Sequence, residues 1–435
     1  MLLFGKCYYI TLITLLSIVQ IKSCNSVQNQ KDNFGFEIDG FHMGWATETK
    51  GGENGTILRV TNLNTSGPGS LIEAIEHNGP RIIVFEISGI IDFKGRAPKI
   101  INPYITIAGQ TAPEGGVTII NGGIRIATHN VIIQHIRIRP GDTKNANSID
   151  GLSTMNGASN IIIDHCSFSW AIDENLSASG PRFMGKTPSE WRKNTSHNIT
   201  FSNNIIGEGL YRSRHTDSVP HSMGTLIHDN VTNILIIGNL YTCNNRRNPM
   251  FKGGTSGAVI NNLIYNPGEM AITYRLSEKE WKDKEIQFGN LDIIGNVMQE
   301  GPSTNTKIFK SMYPKVNIYL EDNLSIKLDG DKVMNDYDLN KTTPAADKTN
   351  WNPNIHPLNS KSVSDYVLKN AGATPWNRDK VDERIITNVL KNTGKIINSE
   401  QETGGLPSQK AVRKKFQPSE WSLRRKLVKR QDTLN

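Results

Sequence analysis

A short strand-like segment recurs through the middle of this 435-residue chain. Each copy opens with asparagine, continues with mostly aliphatic residues, and ends at a small or polar residue. The openers are Asn130, Asn160, Asn198, Asn233, Asn290 and Asn317, and a related segment surrounds Asn262. Repetition at about 25–38 residues, with one strand–turn–strand unit in each period, is typical of a β-solenoid whose rungs stack on one another.

A second asparagine recurs at a fixed distance from the first. The sixth residue after four of the openers is Asn204, Asn239, Asn296 or Asn323, and Asn262 is equivalent. Because a side-chain amide both donates and accepts hydrogen bonds, such a column would form a ladder at one bend of the solenoid. Cys166 occupies this position in its own segment, so we expect it to be structural.

Other all-β architectures fit the pattern less well. A β-propeller would need a more uniform repeat with four strands in each blade, and a sandwich would show two-residue alternation toward solvent. The near-continuous isoleucine runs indicate buried parallel strands. The sequence therefore predicts an all-β parallel solenoid.

The regions before and after the repeats predict the domain organisation. Residues 35–330 hold the repeats and form the predicted solenoid domain. An amphipathic helix at Ser66–Pro80 would cap the first strand edges. Residues 331–435 form a C-terminal segment that packs on the solenoid, with helical pieces near Ser364–Asn370 and Asp382–Lys391.

The N-terminus has the pattern of an export signal. Lys6 precedes an apolar run, Tyr8–Ile21, that is too short to span a membrane. The following Ile-Lys-Ser-Cys resembles a bacterial lipobox, in which Cys24 would carry a lipid anchor, and an ordinary cleavage site nearby is the alternative. We expect residues 1–23 to be a signal peptide, 24–34 a linker, and the protein to be secreted or a periplasmic or outer-membrane lipoprotein of a bacterium.

Charge and cysteine content restrict the partners. The formal net charge of +8 suits a polyanion, and an exported chain with few basic-aromatic clusters favours an acidic polysaccharide over nucleic acid. Part of the basic excess lies in the tail Arg413–Arg430, for which a solvated helix is the alternative. Cys166 and Cys243 are too few for a disulfide framework, so we expect two buried free thiols in a monomeric protein.

Acidic residues cluster where the chain leaves the predicted rungs. Asp173 follows its opener by thirteen residues and Arg247 follows its own by fourteen. Since rungs are about 4.8 Å apart, these two side chains are expected within about 10 Å of each other. The acids Asp150, Asp173 and Glu174 are hard oxygen donors of the kind that Ca²⁺ prefers, and solvated turn acids are the alternative.

Arg246, Arg247 and Lys252 surround a proline in the sequence NNRRNPMFKGG. A basic surface loop is the plain interpretation of this segment. Its predicted position beside the acids on neighbouring rungs favours a functional groove, in which positive and negative rows face each other.

Several longer segments resemble a known family. The sequences SGPGSL, ITIAGQTAP, IIIDHCSFSW and Ala371–Arg384 are similar to those of pectate lyases of polysaccharide lyase family 1, in a bacterial, Bacteroidetes-like branch. The resemblance extends from Gly35 to Gly405. It implies a right-handed parallel β-helix and calcium-assisted β-elimination on 4-linked galacturonan.

The resemblance also implies roles for individual residues. It makes Asp150 and Asp173 calcium ligands, Arg247 the Brønsted base and Lys252 a ligand of the substrate carboxylate. Glu174 is a neighbouring candidate ligand, and Arg246 is a further candidate for substrate binding beside the base.

Two positions depart from the family pattern. Ser177 stands where many relatives have a third calcium acid, and Met223 where they have a substrate-binding lysine. We expect His221 or Arg214 to replace the charge of that lysine. A galacturonan hydrolase, which needs carboxylates on both sides of one bond, and a non-catalytic uronan-binding β-helix remain the alternative functions.

Overall fold

The structure is a computed structural model that describes residues 37–39, 44–143, 149–214, 220–420 and 426–428. The predicted signal peptide, Cys24 with its lipid anchor, and the linker lie outside the described residues, as do parts of the basic tail. These predictions therefore stay predictions. Among the described residues, no helix is both long and apolar enough to cross a membrane.

Parallel strands stack into three long sheets that the chain visits in a fixed order. Strands are numbered along the chain from β1 (Glu37–Asp39) to β32 (Lys426–Val428), and these two pair with each other in a small separate sheet. From β3 onward, each circuit adds one strand to sheet 1, one to sheet 2 and one to sheet 3. This topology confirms the predicted parallel β-helix.

Sheet 1 consists of β2 (Thr56–Val60), β3 (Arg81–Phe85), β6 (Ile105–Ala108), β9 (His129–Gln134), β12 (Ser159–Asp164), β15 (His197–Ser202), β18 (Thr232–Ile237), β21 (Ser256–Ile260), β24 (Gly289–Ile294) and β27 (Val316–Glu321). Sheet 2 consists of β4 (Ile87–Asp92), β7 (Val117–Ile120), β10 (Ile136–Arg139), β13 (Ser167–Ser169), β16 (Ile205–Gly207), β19 (Leu240–Thr242), β22 (Leu263–Tyr265), β25 (Val297–Gln299) and β28 (Leu324–Ile326), with antiparallel β29 (Lys332–Met334) and β31 (Val412–Arg413) at its edges. Sheet 3 consists of β5 (Lys99–Ile100), β8 (Ile124–Ile126), β11 (Leu152–Thr154), β14 (Glu174–Ala178), β17 (Met223–Ile227), β20 (Met250–Phe251), β23 (Ile272–Tyr274), β26 (Phe309–Ser311) and β30 (Tyr337–Asp338).

The described helices are short. They are α1 (Leu71–Glu76), α2 (Pro188–Asn194), α3 (Glu278–Trp281), α4 (Val363–Asn370) and α5 (Lys380–Leu390). Single 3₁₀ turns occur at Gly44–Ala46, Gly109–Thr111, Ser360–Ser362, Glu400–Thr403 and Pro418–Glu420. The predicted capping helix is present as α1, which Ser70 begins by accepting a hydrogen bond from the backbone N–H of Glu73. Its apolar residues join the core formed by the first strands.

Like residues stack on like residues inside the β-helix. In sheet 1, Ile83 pairs with Ile107, which pairs with Ile133, which pairs with Ile163. All four side chains are fully buried. Because each rung presents the same shape to the next, one continuous apolar core runs through the solenoid, and this explains the isoleucine-rich segments.

The asparagine ladder is confirmed. The side-chain N–H of Asn204 donates to Oδ1 of Asn239 at 2.9 Å. The same bond joins Asn239 to Asn262, Asn262 to Asn296, and Asn296 to Asn323. Cys166 lies at the end of this ladder, where its backbone N–H donates to Asn204 Oδ1 at 2.8 Å. Cys166 and Cys243 are buried free thiols, as expected.

Four of the asparagines that open the repeated segments have a left-handed backbone conformation, which the sequence pattern did not predict. Asn130, Asn160, Asn198 and Asn233 all have φ between 54° and 59°. Asparagine tolerates this left-handed conformation better than most residues, so it suits the sharp turn near the start of the four strands β9, β12, β15 and β18. Side-chain bonds again link successive rungs, with Asn233 Nδ2 donating to Asn198 Oδ1 at 2.9 Å.

The C-terminal helices pack against sheet 2. Their apolar residues join a cluster with the outer side chains of that sheet: Val363, Val367, Val381, Ile385 and Val389 against Ile205, Leu240, Leu263 and Val297. Four charged residues, Arg137, Arg139, Asp379 and Asp382, lie in the same interface, and we call them the sheet 2 cluster. Arg139 donates to Asp379 at 2.5 Å and to Asp382 at 3.0 Å.

Candidate active site

A cleft of about 370 Å³ lies along the outer face of sheet 3. Its lining residues are Arg125, Asp150, Ser153, Asp173, Glu174, Ser179, Leu226, His228 and Arg247. Strand register explains why they meet, because Arg125 pairs with Ser153, and Ser153 pairs with Ser177, which pairs with Leu226. These positions alternate with buried core residues, so their side chains point outward on neighbouring rungs.

Three acids enter the cleft from two adjacent rungs. Asp150 precedes β11, Asp173 directly precedes β14, and Glu174 is the first residue of β14. The backbone N–H of Glu174 donates to Asp150 Oδ1 at 3.2 Å, which ties the two rungs together. His221 Nε2 lies 3.1 Å from Asp173 Oδ1. Asp173, Glu174 and His221 each offer one potential ligand atom, and these atoms lie within 4.8 Å of one another.

The surroundings of Asp150 strongly shift the pKa of its carboxyl group. Burial raises the pKa of its carboxyl, the charge of Asp173 raises it further, and together they bring it to about 7. Ser177 opposes this shift by donating to Asp150 Oδ2 at 2.7 Å. Ser177, at the position where the resemblance predicts a third acid, therefore contacts Asp150 through its hydroxyl group.

Arg247 faces these acids from a later rung. Its guanidinium pairs with Glu174. Burial lowers the pKa of Arg247 even though Asp173 and Asp150 act in the opposite direction. The residue has φ of 61°, and its carbonyl accepts a hydrogen bond from Thr225 at 2.6 Å. A Cβ atom on Gly224 would lie 2.5 Å from this carbonyl oxygen, so the glycine permits the close approach.

The two other basic residues of the loop have separate partners. Lys252 Nζ lies 3.3 Å from Asp229 Oδ2 and also pairs with Glu280. Arg246 Nε donates to Glu269 Oε2 at 2.7 Å at the surface. The structure thus brings Arg247 into the cleft with the acids, and it places Lys252 and Arg246 in neighbouring ion pairs.

Comparison with known proteins identifies the family. No family model matches the chain. A curated relative, "Probable pectate lyase C" of Aspergillus flavus, is 31% identical over 377 residues, covering 83% of this chain and 80% of the relative. The protein of the same name from Emericella nidulans is 30% identical over 373 residues, covering 83% and 78%.

The chain belongs to the pectate lyase family. Among solved structures, a "Pectate lyase bound to hexasaccharide" matches with a TM-score of 0.53 at 16% identity, covering 79% of this chain and 99% of that one. The cedar pollen allergen jun a 1 matches with a TM-score of 0.52 at 19% identity, covering 76% and 92%. Both likenesses support the parallel β-helix. The two relatives described above are fungal, so assignment of this family member to a bacterial branch stays a prediction.

His221 and Arg214 are the two residues predicted to replace the charge of a substrate-binding lysine at position 223 of this pectate lyase family member. Met223, at the lysine position, is buried and pairs in register with Glu174. His221 lies beside Asp173, within the acidic group. Arg214 is half exposed, and its Nε lies 3.4 Å from Asp142. Of the two, His221 has the position that can contact a ligand held by the acids.

Sequence reasoning missed several residues around the cleft. Arg125 is one rung before Ser153, and the repeat register could have found it. His228 directly follows β17 and lines the cleft. Asp229, Arg182 and Glu280 surround Lys252, but they lie in segments that carry no repeat signal, so their spatial proximity could not be read from spacing.

Proposed function

We propose that this protein is a pectate lyase that cleaves 4-linked galacturonan by calcium-assisted β-elimination and releases unsaturated oligogalacturonides. One observation carries the proposal: Arg247 and the acids Asp150, Asp173 and Glu174 line a single cleft. A base beside a group of cation-binding oxygens is the arrangement that this reaction needs. Membership of the pectate lyase family supports the same conclusion.

The acids of the cleft fit a calcium ion. Asp150, Asp173 and Glu174 supply carboxylate oxygens, which are the donors that Ca²⁺ takes in flexible geometry. Burial and the charge of Asp173 raise the pKa of Asp150, and a cation bound beside these carboxylates would oppose that shift by stabilising their charged forms. A bound Ca²⁺ would supply electrostatic stabilisation of the charge that develops on a uronate carboxylate.

In the proposed reaction, Arg247 accepts the proton from C5 of the uronate. As that C–H bond breaks, its electrons form the C4–C5 double bond, and the glycosidic oxygen leaves C4 with the electrons of the C–O bond and takes a proton from water. Arginine is ordinarily always protonated and cannot accept a proton in that form. Burial at this site lowers the pKa of Arg247, which favours the neutral form that the reaction requires.

The substrate class follows from the charge of the cleft and its surroundings. Arg125 and Arg247 line the cleft, and Lys252 lies near it. Arg247 and Lys252 already pair with acids of the chain, and uronate carboxylates can add further charge-assisted contacts to these cations that a neutral polysaccharide cannot make. We also propose export through the signal at residues 1–23, anchoring through Cys24, and a monomeric state.

The proposal is tested with purified protein and polygalacturonate. Wild-type protein with Ca²⁺ should produce the ultraviolet absorbance of the conjugated product, and a chelator should abolish it. Arg247→Ala should lower the rate by at least about 100-fold, the usual contribution of a general base. Arg59→Ala is the control, because this arginine pairs with Glu86 and is not among the residues that line the cleft.

The same assay separates the alternatives. A hydrolase would release reducing ends without ultraviolet absorbance, and it would not need Ca²⁺. A non-catalytic module would bind polygalacturonate without either signal. Urea denaturation of Arg247→Ala establishes that the variant is folded, and full residual activity in that variant would contradict the proposed base.

A further inference from the structure

A second group of charges lies next to the cleft, and we call it the lysine cluster: Arg182, Asp229, Lys252 and Glu280. Lys252 pairs with both acids, and its Nζ lies 3.3 Å from Asp229 Oδ2. Arg182 donates to Glu280 Oε2 at 2.9 Å. Arg182 comes from the loop after β14 and Glu280 from α3, so the cluster joins two loops that leave the same sheet.

Strand register places Lys252 in the outer row of the cleft. Ala178, Ile227, Phe251 and Tyr274 pair in order across sheet 3 and are all buried in the core. The residues that follow them, which point to the opposite face, are Ser179, His228, Lys252 and Arg275. Ser179 and His228 line the cleft, and Lys252 is therefore the next position along the same row.

The two acids of the lysine cluster are held very differently. Asp229 is fully buried and accepts hydrogen bonds from Gly253 at 3.1 Å and from the indole N–H of Trp281 at 2.8 Å. It is fixed by the fold. The side chain of Glu280 is 39% exposed, and its Oε2 atom contacts both Lys252 and Arg182.

Glu280 thus makes the contacts that a ligand carboxylate would make. One carboxylate oxygen bridges a lysine and an arginine, which is a strong charge-assisted arrangement. With Glu280 present, two positive and two negative side chains balance one another. Without its carboxylate, the cluster would have one excess positive charge beside the cleft, which would attract a polyanion.

We propose that Arg182 and Lys252 form a binding subsite for a uronate carboxylate, and that Glu280 occupies this subsite in the free enzyme until the substrate displaces it. The proposal rests on the proposed function, because it takes the ligand of the cleft to be a polyuronate. It adds Arg182 to the substrate-binding residues. It also makes Glu280 a competitor of the substrate.

Binding measurements in an Arg247→Ala background test the proposal without turnover. Calorimetry with trigalacturonate should give a Kd about tenfold lower for Glu280→Gln than for the parent, since the neutral amide competes poorly for Lys252 and Arg182. Glu278→Gln is the matched control on the same short helix, where Glu278 accepts a hydrogen bond from Tyr313. It should leave the Kd unchanged.

Two further binding measurements test whether the subsite recognises a carboxylate and whether Arg182 takes part. Fully methyl-esterified trigalacturonate lacks the carboxylate charge, so Glu280→Gln should not tighten its binding. Arg182→Ala should weaken trigalacturonate binding by about tenfold. Unchanged or weaker binding by Glu280→Gln, equal tightening by Glu278→Gln, or no measurable binding by any variant would overturn the proposal.

Kinetics separate this proposal from the proposed function. In the otherwise wild-type enzyme, Glu280→Gln should lower KM for polygalacturonate by a similar factor and leave kcat unchanged, because ground-state and transition-state binding gain equally. Absence of lyase activity in the wild-type protein would refute the proposed function alone, since the calorimetry decides the subsite independently. A fall in kcat with an unchanged KM would show that Glu280 acts elsewhere.

Discussion

Two groups of aspartates and arginines lie on different faces of the same β-helix and behave in opposite ways. In the sheet 2 cluster, the charges of Asp379 and Asp382 outweigh burial and raise the pKa of Arg139. In the cleft, burial lowers the pKa of Arg247. The pKa values of the acids also shift in opposite directions. The pKa of Asp379 is lowered, whereas that of Asp150 is raised to about 7.

The difference follows from how charges are matched and covered. In the sheet 2 cluster, two arginines of one strand meet two aspartates of α5, and the helix covers them. In the cleft, three acids face two arginines, Arg125 and Arg247, and the space outside is open. Paired and covered charges stabilise the fold, whereas unmatched charges in an open cleft are available for cation binding and proton transfer.

The largest expected effect concerns the covered cluster. Asp382→Ala removes a fully buried carboxylate that contacts Arg139 at 3.0 Å and accepts a hydrogen bond from Ser167 at 2.6 Å. Breaking a buried ion pair in this way should lower the free energy of unfolding by about 3–5 kcal/mol. Urea denaturation measures it, and activity of the molecules that remain folded should be unaffected.

The neighbouring residue provides the control for this prediction. Glu383 is exposed on the same helix, so Glu383→Ala should change stability by no more than about 1 kcal/mol. Equal destabilisation by the two variants would show that the covered cluster has no special structural role. Loss of activity from folded Asp382→Ala would contradict the functional separation of the two clusters.

The second prediction concerns calcium binding in the cleft, which should change the free energy of unfolding by less than Asp382→Ala does. If its acids bind Ca²⁺, the ion should raise the free energy of unfolding by about 2.7 kcal/mol at one hundred times its Kd. Asp173→Asn should lose most of this gain, measured as the shift in Tm between chelator and Ca²⁺. Asp338→Asn, which alters an exposed acid paired with Lys310, should retain it. Equal gains in both variants would place the ion elsewhere.

Much of the fold could be predicted from the sequence because successive rungs of the β-helix place equivalent residues in equivalent surroundings. The asparagine ladder follows directly from asparagines at equivalent positions. The C-terminal helices were also predicted, at Ser364–Asn370 and Asp382–Lys391, and the structure has them at Val363–Asn370 and Lys380–Leu390. α5 begins earlier than predicted because Asp379 caps it by accepting a hydrogen bond from Asp382.

Side-chain partners outside the repeats could not be predicted. Arg139 and Asp382 are far apart in sequence, and only the folded chain brings α5 over sheet 2. Likewise, a run of basic residues does not indicate which arginine faces a cleft. Arg247 does so, whereas Arg246 pairs with Glu269 at the surface. Strand register fixes positions on the rungs, but loop conformation determines contacts beyond them.

The smallest expected effect is the pH dependence of the covered cluster. Burial alone would raise the pKa of Asp379, but Arg139 and Arg137 lower it below the ordinary aspartate value of about 3.9. The unfolded chain therefore takes up this proton first as the pH falls. The stability that Asp379 contributes is complete above about pH 5 and decreases as the pH falls through the unfolded pKa toward the lower folded pKa. Asp379→Asn should show a shallower loss of stability than wild type between about pH 5 and pH 3, measured by urea midpoints. If the urea midpoints of wild type and Asp379→Asn fall equally with pH, the pairing of Asp379 with the two arginines does not contribute to the stability of the sheet 2 cluster.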